Sequence, residues 1–317
     1  HIKAVHKFIK LEYQEGSSIK RILKKIYLNA HLLKFKGDWL HYGFGTLAIE
    51  RELIGQAVGA KTAVSFRGFD MNVYTLKHPE CYQLLWKQVD KVQFISVYLL
   101  EKAYILGLPK RIPFQIITPA VDINLLPQRT VRNRTSSTLK IVTIARFNWI
   151  KGIDRLIEVA ACLKKMHLNF EWTLIGAGNT LEKERYVYHI HEKGLENQII
   201  LKGKCSHNDA LNSLVAADVY VQTSLNEGFC NAVLEAQALG IPCVAYKVGG
   251  LPENICDGET GWLIEPYDVA AMAKTIIEIS VFTESEKAKI SEQAIKRVQD
   301  KFNLEQQKQA FHEFYMK

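Results

Sequence analysis

The sequence predicts an α/β protein of two doubly wound, parallel-sheet domains. Three observations predict it: 317 residues exceed what one hydrophobic core ordinarily organises, short apolar runs alternate with helix-like stretches, and a polar, basic interval near residues 122–139 interrupts that rhythm. The chain opens with helical sequence holding nine cations (Lys3, Lys7, Lys10, Lys20, Arg21, Lys24, Lys25, Lys34, Lys36) against Glu12, Glu15 and Asp38. Strands are then predicted at Trp39–Tyr42, Thr62–Phe66, Val92–Val97 and Gln115–Thr118, giving a first domain over 1–122. Pro127, Arg129, Arg132, Arg134, Ser136 and Ser137 bury little, so 123–138 is assigned as a linker. A second domain over 139–282 follows from strands at Lys140–Ala145, Glu171–Ile175, Ile199–Lys202, Val219–Thr223, Cys243–Tyr246 and Trp262–Ile264. Phe302, Phe311, Phe314 and Tyr315 give residues 283–317 helices with an apolar side, able to cross back to the first domain. A doubly wound domain usually opens with a strand and a loop, whereas this chain opens with basic helical sequence, so the first domain is expected to be incomplete at its amino end.

The composition, 48% hydrophobic and 23% charged, is that of a globular protein. No apolar run approaches the roughly 20 residues of a membrane-spanning helix and no secretory signal is evident, so a cytoplasmic location is expected. Cys81, Cys162, Cys205, Cys230, Cys243 and Cys256 show neither a C-x-x-C pair nor zinc spacing, which predicts reduced thiols, no structural metal and no metal cofactor. The net charge of +8 suits a diphosphate ligand rather than indicating nucleic acid. The opening cations, beside Ile19, Ile22, Leu23, Ile26 and Leu33, suit either an anionic membrane surface or lipid-linked substrate, or simply a solvated helix face.

Three segments carry candidate chemistry. The strand Lys140–Ala145 runs into Arg146-Phe147-Asn148-Trp149-Ile150-Lys151-Gly152, placing two cations where open α/β sheets bind ligands. An arginine fork and a lysine point charge together neutralise a diphosphate without metal, although a basic loop there is also compatible with plain solvation. Gly176-Ala177-Gly178 lacks the third glycine of a dinucleotide turn, since position 181 is Leu, and is read as a close approach of backbone to a neighbour or a nucleoside. Ser224 through Ala236 follows a buried strand and starts a helix, with Glu227 and Glu235 eight residues apart. Eight residues rotate a helix by about 800°, so both carboxylates fall on roughly one side, where they suit sugar and ribose hydroxyls. The amides of Gly228 to Asn231 suit anionic oxygen. The alternative is that Glu227 caps the helix and Glu235 makes a surface pair.

In order and spacing these segments resemble the GT-B glycosyltransferases of family GT4. Glu227-Gly228-Phe229 through Glu235 resembles the E-x7-E element, and Arg146 to Gly152 the G-R-x-x-x-x-K-G segment with Ala145 in the glycine's place. Ile175 to Gly178 resembles the I-G-x-G turn, and Ala217-Asp218-Val219 the A-D-V strand entry. Gly249-Gly250-Leu251-Pro252-Glu253 and Asp257 to Leu263 are similar to G-G-x-P-E and D-G-x-T-G-x-L. The resemblance covers roughly residues 139–280. It implies two Rossmann-like domains facing a cleft and a retaining transfer of hexose from a UDP- or GDP-sugar to a polysaccharide or lipid-linked glycan, as in cell-surface polysaccharide synthesis. Glu227, Arg146 and Lys151 are then the catalytic candidates, and Gly176, Gly178, Gly228, Phe229, Cys230, Asn231 and Glu235 complete the donor-binding set. Arg146 and Lys151 would hold the diphosphate, Glu235 the ribose and Glu227 the transferred sugar.

On the acceptor side, Val64 to Asp70 resembles the segment in which the family often has H-G-x-D, with Arg67 in the histidine's place. An arginine stays charged and cannot act as a base at neutral pH; it suits an anionic acceptor or a salt bridge to Asp70. His41 and Asp70 are the other acceptor-side candidates. Arg67 and the lack of a Gly-rich acceptor loop leave an alternative, a glycosyltransferase-like protein that binds nucleotide or glycan without transfer.

Overall fold

The computed structural model describes residues 1–127 and 138–316. Arg129, Arg132, Arg134, Ser136 and Ser137 of the assigned linker lie outside the described residues. Two compact units result: His1–Thr118 together with the chain end from Gln309, and Pro119–Lys308.

In the first unit four parallel strands, β1 (Trp39–Tyr42), β2 (Lys61–Phe66), β3 (Lys91–Phe94) and β4 (Phe114–Ile116), lie in sequence order. Five of the six β2 residues are buried, as expected where both faces of a parallel strand are covered. The sheet advances in one direction only and contains no reversal of strand order. β3 ends sooner than predicted: the Ser96 hydroxyl accepts from Leu99 N–H and caps a helix, Val97–Ile105, so Val97 opens that helix instead of ending the strand. From the chain end, Phe314 packs with Ala63 and Ile117, and its carbonyl accepts from Lys91 Nζ at 2.6 Å.

The opening helices Ile2–Gln14 and Ile19–Asn29 belong to this unit. One of the nine cations of the opening segment is not on the surface: Lys25, 3% exposed, donates to both oxygens of Glu12, 1% exposed, at 2.8 and 2.9 Å. The Ser17 hydroxyl adds a third bond to that carboxylate. Ile22 and Leu33 also turn into the core, whereas Ile19, Leu23 and Tyr27 remain exposed.

The second unit is built on six parallel strands in the order β10-β9-β8-β5-β6-β7. These are β5 (Leu139–Ile144), β6 (Phe170–Ile175), β7 (Ile199–Gly203), β8 (Val219–Gln222), β9 (Cys243–Tyr246) and β10 (Trp262–Ile264). The chain runs outward from β5 through β7, then returns to β5's other side at β8, so a topological switch point lies between β5 and β8. Alternate side chains feed two layers. Ile141, Val219 and Val221 join the core of helices Ile153–Lys165 and Val269–Ser280, while Val142, Tyr220 and Ala245 join that of helices His207–Val215 and Asn231–Ala238. Trp172 is fully buried in the first of these cores, and its indole N–H donates to Thr143 Oγ1 at 3.1 Å.

Candidate active site

At the switch point two loops leave the carboxyl ends of neighbouring strands. The loop after β5 carries Arg146, then a short turn, Trp149–Lys151, that ends at Gly152 with φ 62°. A Cβ at Gly152 would run into the Thr223 carbonyl, so only glycine lets this loop lie against the end of β8. Leu225 N–H donates to Ile150 O at 2.8 Å, and the Thr223 hydroxyl to Lys151 O at 3.3 Å. On the other side the loop after β9 presses in at Gly249, φ 54°, where a Cβ would meet the Glu227 carbonyl. Gly250 N–H donates to that same carbonyl at 2.8 Å. The segment bearing Glu227 is thereby clamped from both sides.

Lys151 and Glu227, 76 residues apart in sequence, form a 2.5 Å ion pair, with side chains 17% and 8% exposed. The Ser224 hydroxyl donates to the same carboxylate oxygen, Oε1, at 2.7 Å. Glu227 therefore does not cap the helix Asn231–Ala238; Cys230 occupies that position. Arg146 is exposed, with no side-chain hydrogen bond or ion pair among the described residues, so its guanidinium stands free at the same edge.

The helix start differs from expectation at Cys230. Cys230 N–H is not free for a ligand, because it donates to Asn254 Oδ1 at 3.0 Å while Asn254 Nδ2 donates back to Cys230 O. Phe229 is 7% exposed and packs on Phe302 with ring centroids 5.6 Å apart, so its side chain serves the core. Burial and the neighbouring Glu227 charge raise the Cys230 thiol to about 12, keeping it protonated. Gly228 is buried beside it and Asn231 is exposed. Glu235 is held by His207, whose Nε2 lies 2.9 Å from Oε1. Gly176 and Gly178 admit the backbone of Ala145 and Phe147, which would collide with any Cβ there; Phe147 N–H donates to Ala177 O across this contact. Their space is taken by protein, the first of the two alternatives the sequence left open.

Sequence reasoning missed His207, Asn254 and Gln222. His207 follows the carboxyl end of β7, the edge where ligand groups gather, and that position was its only signal.

The acceptor-side candidates occupy the first unit. His41 sits between Ser65 Oγ, 2.8 Å from Nε2, and the Tyr315 hydroxyl, 2.5 Å from Nδ1. Burial, then the Arg67 charge, lower its pKa to about 4. Of the alternatives for Arg67, a salt bridge to Asp70 does not form: the Arg67 guanidinium lies over the Phe44 ring and donates to Gly43 O at 3.4 Å, while the Arg67 backbone N–H donates to Asp70 Oδ2 at 3.0 Å. Asp70 is fully buried and also accepts from the Thr46 hydroxyl, tying the turns after β1 and β2 together. Desolvation raises its pKa.

Comparison with known proteins agrees with this architecture. Residues 128–297 match the family described as glycosyl transferases group 1. The putative colanic acid biosynthesis glycosyltransferase WcaL of Escherichia coli is 28% identical over 276 residues, 83% of this chain and 66% of the relative. The amylovoran biosynthesis glycosyltransferase AmsK of Erwinia amylovora is also 28% identical, over 84% of this chain and 67% of its own. The chain thus spans about two thirds of the length of these two relatives. In fold it is similar to Anabaena HepE in complex with UDP and glucose, with a TM-score of 0.79 and 18% identity over 93% of this chain and 81% of that one. The two-sheet architecture is that of the GT-B glycosyltransferases, and the chain belongs to the glycosyl transferases group 1 family.

Proposed function

We propose that the protein transfers a hexose, with retention of configuration, from a UDP- or GDP-sugar to a polysaccharide or lipid-linked glycan acceptor. The observation that carries the reading is the Lys151–Glu227 pair at the switch point, with Arg146, exposed and unpaired among the described residues, on the same loop as Lys151. Arg146 and Lys151 grip the diphosphate and stabilise the charge that develops on it as the glycosidic bond breaks, without a metal. Glu227 accepts from hydroxyls of the transferred sugar and Glu235 from the ribose. The leaving phosphate takes the acceptor proton on the same face, so no side-chain base is required. Family membership and the similarity to WcaL, described as a putative colanic acid biosynthesis glycosyltransferase, and to AmsK, an amylovoran biosynthesis glycosyltransferase, support this acceptor class.

Purified protein given a panel of UDP- and GDP-sugars with glycan acceptors is expected to release nucleoside diphosphate, and Glu227→Ala to abolish release. Equal turnover by that variant would refute Glu227's role. Nucleotide binding without transfer from any donor would establish the binding-only alternative.

A second contact is proposed for the helix Ile19–Asn29, with an anionic membrane surface at the inner face of the cell membrane. Exposed Ile19, Leu23 and Tyr27 beside exposed Lys20 and Lys24 support it. Among the described residues no helix is long and apolar enough to cross a membrane. Co-sedimentation with phosphatidylglycerol vesicles, lost in Lys20→Glu/Lys24→Glu, is expected; unchanged sedimentation would end the proposal.

A further inference from the structure

The end of β8 and the turn that follows it carry a buried polar ladder. Tyr220 and Gln222, alternate residues of β8, fall on one face, Ser224 follows two residues beyond the strand's end, and all three are at most 1% exposed. The Tyr220 hydroxyl donates to Gln222 Oε1 at 2.5 Å, Gln222 Nε2 donates to Ser224 Oγ at 2.6 Å, and Ser224 donates to Glu227 Oε1 at 2.7 Å. Gln222 Nε2 also lies 3.4 Å from Glu227 Oε1. The carboxylate fixes the sense of the amide, since a flipped Gln222 would turn its carbonyl oxygen toward that negative charge. Burying an amide is costly unless it is hydrogen-bonded, and an apolar residue of similar size would serve the sheet as well. The ladder runs from the core to the one carboxylate that holds Lys151.

We infer that Gln222, anchored by Tyr220, is a positioning residue that holds the Glu227 carboxylate in a single orientation against Lys151 before donor binds. The inference rests on the reading of Glu227 as the sugar contact. It deepens that reading by locating what orients the contact in the strand beneath it. The carboxylate then has no orientation left to search when sugar hydroxyls arrive, and that advantage acts on the sugar alone and not on the diphosphate.

The test compares Gln222→Met, which keeps length and volume but removes both hydrogen-bonding groups, with Tyr220→Phe. In a crystal structure of Gln222→Met, Glu227 Oε1 is expected to leave Lys151. Transfer kcat/KM is expected to fall about 10-fold or more, with no loss of affinity for UDP or GDP alone, because the diphosphate then meets a Lys151 with one competitor fewer. Tyr220→Phe should cost about threefold in the wild type and less than that in Gln222→Met, where only the 3.4 Å contact of its hydroxyl with Ile144 O remains to be lost. A Gln222→Met protein that keeps the Lys151–Glu227 contact and wild-type kcat/KM overturns the inference. Equal losses of nucleotide affinity and transfer also overturn it, since they mark a merely structural residue. Should Gln222→Met not fold, Tyr220→Phe carries the same comparison, and unchanged kcat/KM overturns the inference there. Wild-type protein without transfer activity refutes the functional reading instead, and the Lys151–Glu227 geometry in the Gln222→Met structure still decides the positioning role.

Discussion

Gly249→Ala perturbs the site without touching any side chain in it. The added Cβ would sit 2.1 Å from the Glu227 carbonyl oxygen, so that carbonyl must retreat by about 1 Å to reach ordinary contact, losing its bond from Gly250 N–H. Holding alanine at φ 54° costs a further ~1–2 kcal/mol. Gly194→Ala supplies the control: its φ is 61°, and the nearest atom its Cβ meets is the flexible Lys164 Nζ at 3.5 Å. Both variants should therefore melt lower by a few degrees, taking about 2–4 °C per kcal/mol for a unit of this size. Only Gly249→Ala displaces Glu227, and a misplacement of about 1 Å is worth about 100-fold in rate, or ~2.7 kcal/mol of transition-state stabilisation. Steady-state release of nucleoside diphosphate from a donor–acceptor pair, with calorimetry of UDP or GDP alone, separates the outcomes. The expected result is a large loss of kcat/KM in Gly249→Ala, near-normal activity in Gly194→Ala and no loss of nucleotide affinity in either. If the two variants lose activity equally, the clamp on Glu227 does not set the catalytic geometry.

Arg146→Ala removes an exposed guanidinium with no partner among the described residues, so stability should change by less than about 0.5 kcal/mol. Nucleoside diphosphate affinity should fall ~10–100-fold for lost charge-assisted bonds, as calorimetry would read; unaltered affinity would remove Arg146 from the diphosphate site. His41 tests the first unit. Its folded pKa, about 4, lies below the ordinary value near 6.5, so between these pH values the unfolded chain binds the extra proton. Stability should therefore fall as pH drops through that window, by no more than about 3 kcal/mol, and His41→Gln should flatten the slope in denaturant titrations. Parallel slopes for the two proteins would show that His41 is not the group responsible.

All ten strands were legible in the sequence because buried parallel strands read as short apolar runs between helical stretches, which is visible locally. Boundaries failed where a side chain intervened, as when the Ser96 cap cut short the strand predicted to reach Val97. At the candidate site the loops were legible because cations and carboxylates at strand ends are themselves the signal. What each side chain touches was not. Phe229 meets Phe302, Cys230 meets Asn254, and His41 meets Tyr315 from 274 residues away, contacts that no local pattern encodes. Lys25 misled for the same reason, since its helix is basic throughout and only Glu12, on the preceding helix, turns that lysine inward. Gln222 was passed over as one polar letter in an apolar strand, although a buried amide there is itself an anomaly.

The salt bridge at the switch point carries a consequence for inhibitors. Any anion approaching Lys151 must compete with a carboxylate already seated there and screened from water, so part of its attraction is cancelled by the partner it displaces. Uncharged mimics of the pyrophosphate forgo that contest. They would leave the internal couple intact, gaining little from the lysine while avoiding the cost of stranding a buried negative charge.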